Sequence, residues 1–292
     1  MGLFFIKSFL RLLSWLPAGG PYWLARRLAS LWMRLSPRKH QTTIRNLEMC
    51  FPDLDTDERQ ALIRESFVHY VAAVLEAGHN WYSPVESLRA RCDEVVGQDQ
   101  FDAALATGKG VMLLAPHCGA WEYLGIHLQH IPEFAILYKP PEDPRLHQAL
   151  VERRKRAGGT MIPANPGAVR SLFAHLKKGG SAGVLPDQDP SKGQGRFAPF
   201  FGVPAFTGVL APRLANKTGC HVFFGVCERL PKGRYRIHYL RADETVGGDD
   251  LDAAVAGVNR GVEQCVRIDP AQYLWSYRRF KTRPEGEPPF YQ

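Results

Sequence analysis

Three short apolar runs, each tied to a stretch of helical periodicity, restrict this chain more than any other feature. GVMLLAPH (110–117), EFAILYKP (133–140) and SAGVLPDQD (181–189) read as buried strands. WEYLGIHLQH, PRLHQALVERRKRAGG (144–159) and NPGAVRSLFAHLKKGG (165–180) read as the helices between them. The last of these is expected to start with Asn165 as cap and Pro166 at its first position, and to stop at Gly179. Upstream, TDERQALIRESFVHYVAAVLEAGHNW reads as a long amphipathic helix with Thr56 as N-cap and an acidic first turn. Downstream of a Gly/Pro-rich loop, TGVLAPRLANKTG reads as a helix interrupted by Pro212. CHVFFGVCERL and RYRIHYL flank PKG as a hairpin, and residues 249–267 form the last long helix. Such alternation calls for an α/β fold, and the hairpin makes the sheet mixed rather than purely parallel. The expected class is therefore α/β, a mixed, mostly parallel sheet flanked by helices. No internal repeat or low-complexity tract divides it.

Charge is distributed unevenly. The formal net charge is +8, and no acidic residue occurs before Glu48. Lys7, Arg11, Arg26, Arg27, Arg34, Arg38, Lys39 and Arg45 lie in that stretch and account for the whole excess. A basic character spread along the chain would suggest nucleic acid. Confined to an aromatic, apolar N-terminus, it points to an anionic membrane surface instead. LFFIKSFLRLLSWL (3–16) is too short and too charged to span a bilayer, which takes about 20 apolar residues. On a helical wheel Lys7, Ser8, Arg11 and Ser14 share one narrow face, with apolar residues covering the rest. YWLARRLASLWMRL (22–35) repeats the pattern with Arg26, Arg27, Ser30 and Arg34. A cleaved signal peptide fits poorly, because Lys7 and Arg11 interrupt its apolar region. Two core-facing helices are the competing structural reading. The preferred expectation is an interfacial anchor over residues 1–47, on the cytoplasmic side, carrying a catalytic body over residues 48–292.

Six cysteines, Cys50, Cys92, Cys118, Cys220, Cys227 and Cys265, are scattered without CxxC or zinc-ligand spacing, as expected of reduced thiols. His127 and His130 lack an acid at helical spacing that would make a metal site. ATGKG lacks the P-loop pattern and no GxGxxG is present, so no nucleotide cofactor is indicated.

LLAPHCGAWEYLG carries the chemistry. His117 ends a buried strand, Gly119 permits a tight turn, and Glu122 falls near the first turn of the next helix. A carboxylate on one imidazole nitrogen makes the other a better general base. No serine or threonine accompanies the pair, so direct attack by a substrate hydroxyl fits better than a covalent cycle. Cys118 beside His117 is expected to pack inertly, since neighbours on an extended chain point apart.

Several further motifs share an order with a known family. They are His117-Cys-Gly-Ala-Trp-Glu122, Tyr138-Lys-Pro140, Leu185-Pro-Asp-Gln-Asp-Pro190, Pro199-Phe-Phe-Gly-Val-Pro204, Thr207 and the tail Gln272 to Pro284. From Asn46-Leu47 and Phe51-Pro52 onward the chain resembles the bacterial lipid A biosynthesis late acyltransferases, relatives of the glycerol-phosphate acyltransferases. Ala120 and Cys118 depart from the commonest residues at their positions. The resemblance implies transfer of a fatty acyl group from acyl carrier protein to a hydroxyl of a lipid A precursor at the inner membrane, without a cofactor. It also implies His117 as general base with Glu122 orienting it. Arg154, within Arg153-Arg154-Lys155-Arg156, would contact a phosphate or the developing oxyanion, and Asp187 would position Arg154. Backbone N–H groups around Gly119 are expected to add oxyanion donors. Arg278, Arg279, Lys281 and Arg283 either bind phosphate or an acidic carrier or face solvent. A lysophospholipid or aminolipid acceptor is the alternative within the same chemistry. A non-catalytic membrane-binding protein of the same fold is the alternative of another class, and the intact set of His117, Glu122, Arg154 and Asp187 argues against it.

Overall fold

The computed structural model describes residues 2–165 and 167–291, apart from the side chains of Gly2 and Leu3. Six helices come first: α1 (Gly2–Leu13), α2 (Gly20–Leu35), α3 (Pro37–Cys50), α4 (Thr56–Leu75), α5 (Ala77–Tyr82) and α6 (Val85–Arg89). Strands and helices then alternate: β1 (Cys92–Val96), α7 (Gln98–Ala106), β2 (Val111–Leu114), α8 (Trp121–Leu128), β3 (Ala135–Tyr138), α9 (Pro144–Lys155), β4 (Thr160–Pro163), α10 (Ala168–Lys177) and β5 (Ser181–Val184). A hairpin of β6 (Gly195–Phe200) and β7 (Val203–Gly208) leads to α11 (Leu210–Thr218). The strands β8 (His221–Leu230) and β9 (Arg234–Arg241) and the helix α12 (Leu251–Ile268) complete the order.

Seven strands form one sheet in the order β1-β9-β8-β2-β5-β3-β4. Every neighbouring pair is parallel except the hairpin β8–β9. This is the mixed, mostly parallel α/β sheet expected from the sequence. The period-2 alternation of β2 explains its central place: Met112 and Leu114 face one apolar layer, Val111 and Leu113 the other. The first layer includes α4 and α10 to α12, the second α6 to α8. A strand buried on both faces has to be apolar throughout, as VMLL is.

Local chemistry moves some boundaries. The N-cap of α4 is Asp55, not Thr56: Asp55 accepts the Glu58 N–H at 2.8 Å, and Glu58 accepts the Asp55 N–H at 3.0 Å. Only from Asp55 does the third helical residue carry a carboxylate that can close such a box. Asn165 likewise does not cap α10. Its side chain accepts the Gly167 N–H at 2.9 Å in a turn ahead of the helix, whose cap is Gly167. The expectation for Pro166 falls outside the described residues. Gly179, at φ +88°, follows the end of α10 as expected of a stop signal. Pro212 does not interrupt α11. It is the third residue, where a missing N–H costs no helical bond. The segment read as a Gly/Pro-rich loop contains the β6–β7 hairpin, registered from Gly195↔Gly208 to Phe200↔Val203.

The two N-terminal helices pack on the body through their small or inner residues. Helix α2 buries Gly20, Pro21, Ala25 and Ala29 and packs against α4. Helix α1 buries Leu10 and Leu13 beside Gly78 of α5, where a Cβ would lie 2.5 Å from the Leu13 Cβ. Phe4, Phe5, Phe9, Leu12, Trp15, Trp23, Leu31, Trp32 and Leu35 stay exposed, Trp15 at 73%. Among the described residues, no helix is long and apolar enough to cross a membrane.

Candidate active site

β2 and β5 are parallel neighbours, with Leu114 opposite Val184. Three residues beyond those partners, at the carboxyl ends of both strands, stand His117 and Asp187. Open α/β sheets place their ligands at such strand ends. Asp187 is 3% exposed and grips His117 twice. Its Oδ1 takes the Nδ1–H at 2.9 Å and its Oδ2 takes the backbone N–H at 2.9 Å. The His117 carbonyl accepts from the Leu274 N–H at 3.0 Å. Residue 117 is thus fixed through backbone and ring together. Its Nε2 faces outward, 3.2 Å from the Gln188 amide nitrogen, and the Trp121 ring lies 5.4 Å from the imidazole.

Electrostatics follow from this geometry. Burial alone pushes the His117 pKa down, but the Asp187 charge, the Asp187 hydrogen bond and the Glu122 charge together raise it above the ordinary imidazole value. For Asp187 burial pushes up, yet His117, its two hydrogen bonds and Arg279 hold the carboxyl below the ordinary range. The result is an ionised, dry carboxylate aimed at a ring whose other nitrogen is free to take a proton.

The second pair is Glu122 with Arg154. Arg154 leaves the last turn of α9, and its Nε and Nη2 both donate to the Glu122 carboxylate, the former at 3.3 Å. The four residues expected from the sequence therefore do converge, but with exchanged partners. Asp187, not Glu122, orients His117, and Glu122, not Asp187, holds Arg154. The reason is directional: Glu122 opens α8 and points across to α9, whereas strand pairing puts Asp187 beside His117.

Other expectations are corrected or refined. The N–H of Gly119 donates to Gln272 O at 2.9 Å and that of Ala120 to Cys227 O at 2.7 Å, so neither serves an oxyanion. Gly119 has φ +62°, and a Cβ there would lie 1.9 Å from the Cys227 oxygen, so only glycine closes this corner. Cys118 is 1% exposed, and burial pushes its thiol pKa far up, which suits packing. Arg279 does not face solvent: it is buried against Phe206 O, Thr207 and Asn259. Arg283 pairs with Glu287. Among the described residues, no group of three or more His, Cys, Asp or Glu is placed to hold a metal.

Sequence reasoning passed over Gln188, Trp121 and the framing role of the tail. Tyr277 accepts the Asp189 N–H at 3.0 Å, and Thr282 donates to the Asp189 carboxylate at 2.7 Å, tying down the loop that carries Asp187. The available signal was the DQD tripeptide itself, whose middle residue is the one that faces out.

Comparison with known proteins finds relatives along nearly the whole chain. The family model described as bacterial lipid A biosynthesis acyltransferase matches residues 1–282. The lipid A biosynthesis lauroyltransferase of Escherichia coli (strain K12) is 31% identical over 284 residues, covering 95% of this chain and 92% of that protein. The palmitoleoyltransferase of the same strain is 29% identical, covering 95% and 91%. Its myristoyltransferase is 25% identical, covering 89% and 81%. With a match along nearly the whole chain, the protein belongs to the bacterial lipid A biosynthesis acyltransferase family.

Proposed function

We propose that the protein moves a fatty acyl group from acyl carrier protein to a hydroxyl of a lipid A precursor, at the cytoplasmic face of the inner membrane. The observation that carries this reading is the Asp187–His117 pair at the strand ends, set beside the Arg154–Glu122 pair. His117 Nε2 takes the proton of the acceptor hydroxyl as its oxygen attacks the thioester carbonyl. A C–O bond forms, the C–S bond breaks, and the imidazolium returns the proton to the departing carrier thiolate. Asp187 fixes the tautomer and steadies the imidazolium while it exists. Arg154, held by Glu122, answers the negative charge that develops on the carbonyl oxygen, a contribution worth roughly 10²–10³ in rate for one donor.

No acyl-enzyme enters this scheme. The partners of His117 among the described residues are Asp187, Gln188 and Leu274, none of which offers a nucleophilic hydroxyl. Residues 1–47 act in this reading as the interfacial anchor, with Phe4, Phe5, Phe9, Leu12 and Trp15 directed to the acyl boundary and arginines to headgroups.

The test mixes protein, acyl carrier thioester and lipid A precursor, and follows free carrier thiol and acylated product. Product from the wild type and none from His117→Asn, whose amide can still donate to Asp187, at a similar melting temperature is expected. Full turnover by His117→Asn would overturn the scheme.

A further inference from the structure

Around the corner that joins α5 to α6 lie guanidinium groups from two distant parts of the chain, Arg11 of α1 and Arg153 and Arg156 at the end of α9. The Arg11 guanidinium carbon lies 6.0 Å from the centre of the Tyr82 ring and that of Arg153 lies 4.5 Å from it. Arg153 also donates to Trp81 O at 3.4 Å. Arg156 donates to Asn80 O at 2.6 Å and to Ser83 O, and feels the Arg153 charge. Glu86 is the acid that acts on Arg156. Among the described residues no carboxylate lies within 4.0 Å of Arg11 or Arg153. The contrast with their neighbours is sharp, since Arg154 is matched by Glu122 and Arg26 by Glu65.

Beside this cluster an open groove of about 390 Å³ is lined by Arg11, Ser14, Trp15, Tyr82, Ser83 and Pro84. Its walls come from α1, which carries the exposed aromatic row, and from the corner on which α9 rests. Arg11 lines the groove, and Arg153 approaches the Tyr82 ring that forms part of its wall. Guanidinium suits phosphate oxygens in number and geometry. A hydrophobic rim ending at Trp15 admits an amphiphile whose tail lies in the bilayer and whose head enters the groove.

We propose that this groove is a phosphomonoester subsite that seats the phosphorylated headgroup of an amphiphile, with Arg11 from its lining and Arg153 from beside the adjoining Tyr82 ring as its anion ligands. The phosphate comes either from the acyl acceptor or from an anionic phospholipid of the bilayer. In the first case the subsite orients the acceptor toward Arg154, one residue along α9, and so rests on the acyltransferase reading above.

The experiment compares wild type with the double variant Arg11→Gln/Arg153→Gln, both checked for equal melting temperature. One arm measures kcat and KM on a doubly phosphorylated acceptor and on the same acceptor lacking one phosphate. If the acceptor phosphate is seated here, the variant's KM rises about ten-fold or more with kcat within about two-fold, and the difference collapses on the acceptor lacking the relevant phosphate. Arg11→Lys/Arg153→Lys should recover part of that affinity. The other arm measures binding to phosphatidylcholine vesicles doped with phosphatidic acid or, at equal charge, phosphatidylglycerol. A loss of binding selective for phosphatidic acid, with KM unchanged, assigns the subsite to the bilayer headgroup. Unchanged KM together with unchanged or non-selective vesicle binding overturns the proposal, as does a KM rise equal on both acceptors. A wild type without turnover on either acceptor would sink the acyltransferase reading alone, because the vesicle arm still tests the groove.

Discussion

The N-terminal helices and the sheet body use the same residue types in opposite directions. In the body, large apolar side chains point inward: Phe134, Phe223, Phe224, Phe280 and Trp275 are almost wholly buried. In α2 the inward residues are Ala25 and Ala29, while Trp23, Leu31, Trp32 and Leu35 point out. The difference teaches that one hydropathy pattern can serve two solvents. Folding energy comes from the large side chains of the body, whereas in α2 close approach to α4 comes from the small ones. The large ones there are left for another phase. Exposed large apolar side chains of this kind are what the proposed interfacial anchor would need.

The comparison can be broken at several points, of which the site is the most sensitive. His117→Asn, whose amide N–H can still donate to the buried Asp187, should lower kcat by about 10³-fold or more with little change in thermal unfolding, as the proposed general-base role requires. Stopped turnover with a large fall in melting temperature would instead make His117 a structural residue.

Phe134→Ala comes next. It empties a fully buried site against Gly183 and should cost about 3–5 kcal/mol in denaturant unfolding. Ala25→Leu inverts the usual expectation for a helix facing lipid. Adding bulk at the α2–α4 contact should destabilise by about 1–3 kcal/mol, and a neutral result would mean that α2 is not docked. Replacing both Phe9 and Trp15 by Ser should leave stability within about 0.5 kcal/mol, as at other exposed positions. The same variant should weaken sedimentation with anionic vesicles, and unchanged sedimentation would remove the anchoring role from α1.

The smallest effect concerns pH. In the proposed mechanism turnover needs neutral His117, whose pKa is raised, so activity should climb with pH through a value above the ordinary imidazole pKa of about 6.5. Removing a carboxylate charge that favours the imidazolium lowers that pKa. Glu122→Gln should therefore move the acidic limb of the normalised kcat/KM profile downward, alongside a lower overall rate from the loosened Arg154. A limb that stays put or moves upward would mean that Glu122 does not act on His117.

Much of this was legible in the chain and some was not, for identifiable reasons. The central strands β2, β3 and β5, the β8–β9 hairpin and the α/β class follow from apolar runs and periodicity. The strands that escaped are β1, the charged edge strand CDEVV, the short β4 and the β6–β7 pair, whose Gly and Pro residues read as a loop. The four candidate residues named from the sequence come together, yet their pairing was exchanged. Sequence nearness favours Glu122 for His117, while the true partner is 70 residues away. Only the register Leu114↔Val184 brings it there, and register is a property of two strands together.

The stitching of residues 272–282 onto the site has a consequence for how the enzyme is made. The carbonyl of His117 is held by Leu274, and the loop of Asp187 is secured by Tyr277 and Thr282. The contacts on Asp189 span 88 and 93 residues and that on His117 more than 150, and such long-range contacts form late, because the chain between them must first be ordered. The aromatic helices α1 and α2 are synthesised well before residues 272–282. In the proposed reading, a nascent chain can therefore reach a membrane before its candidate base is held in place.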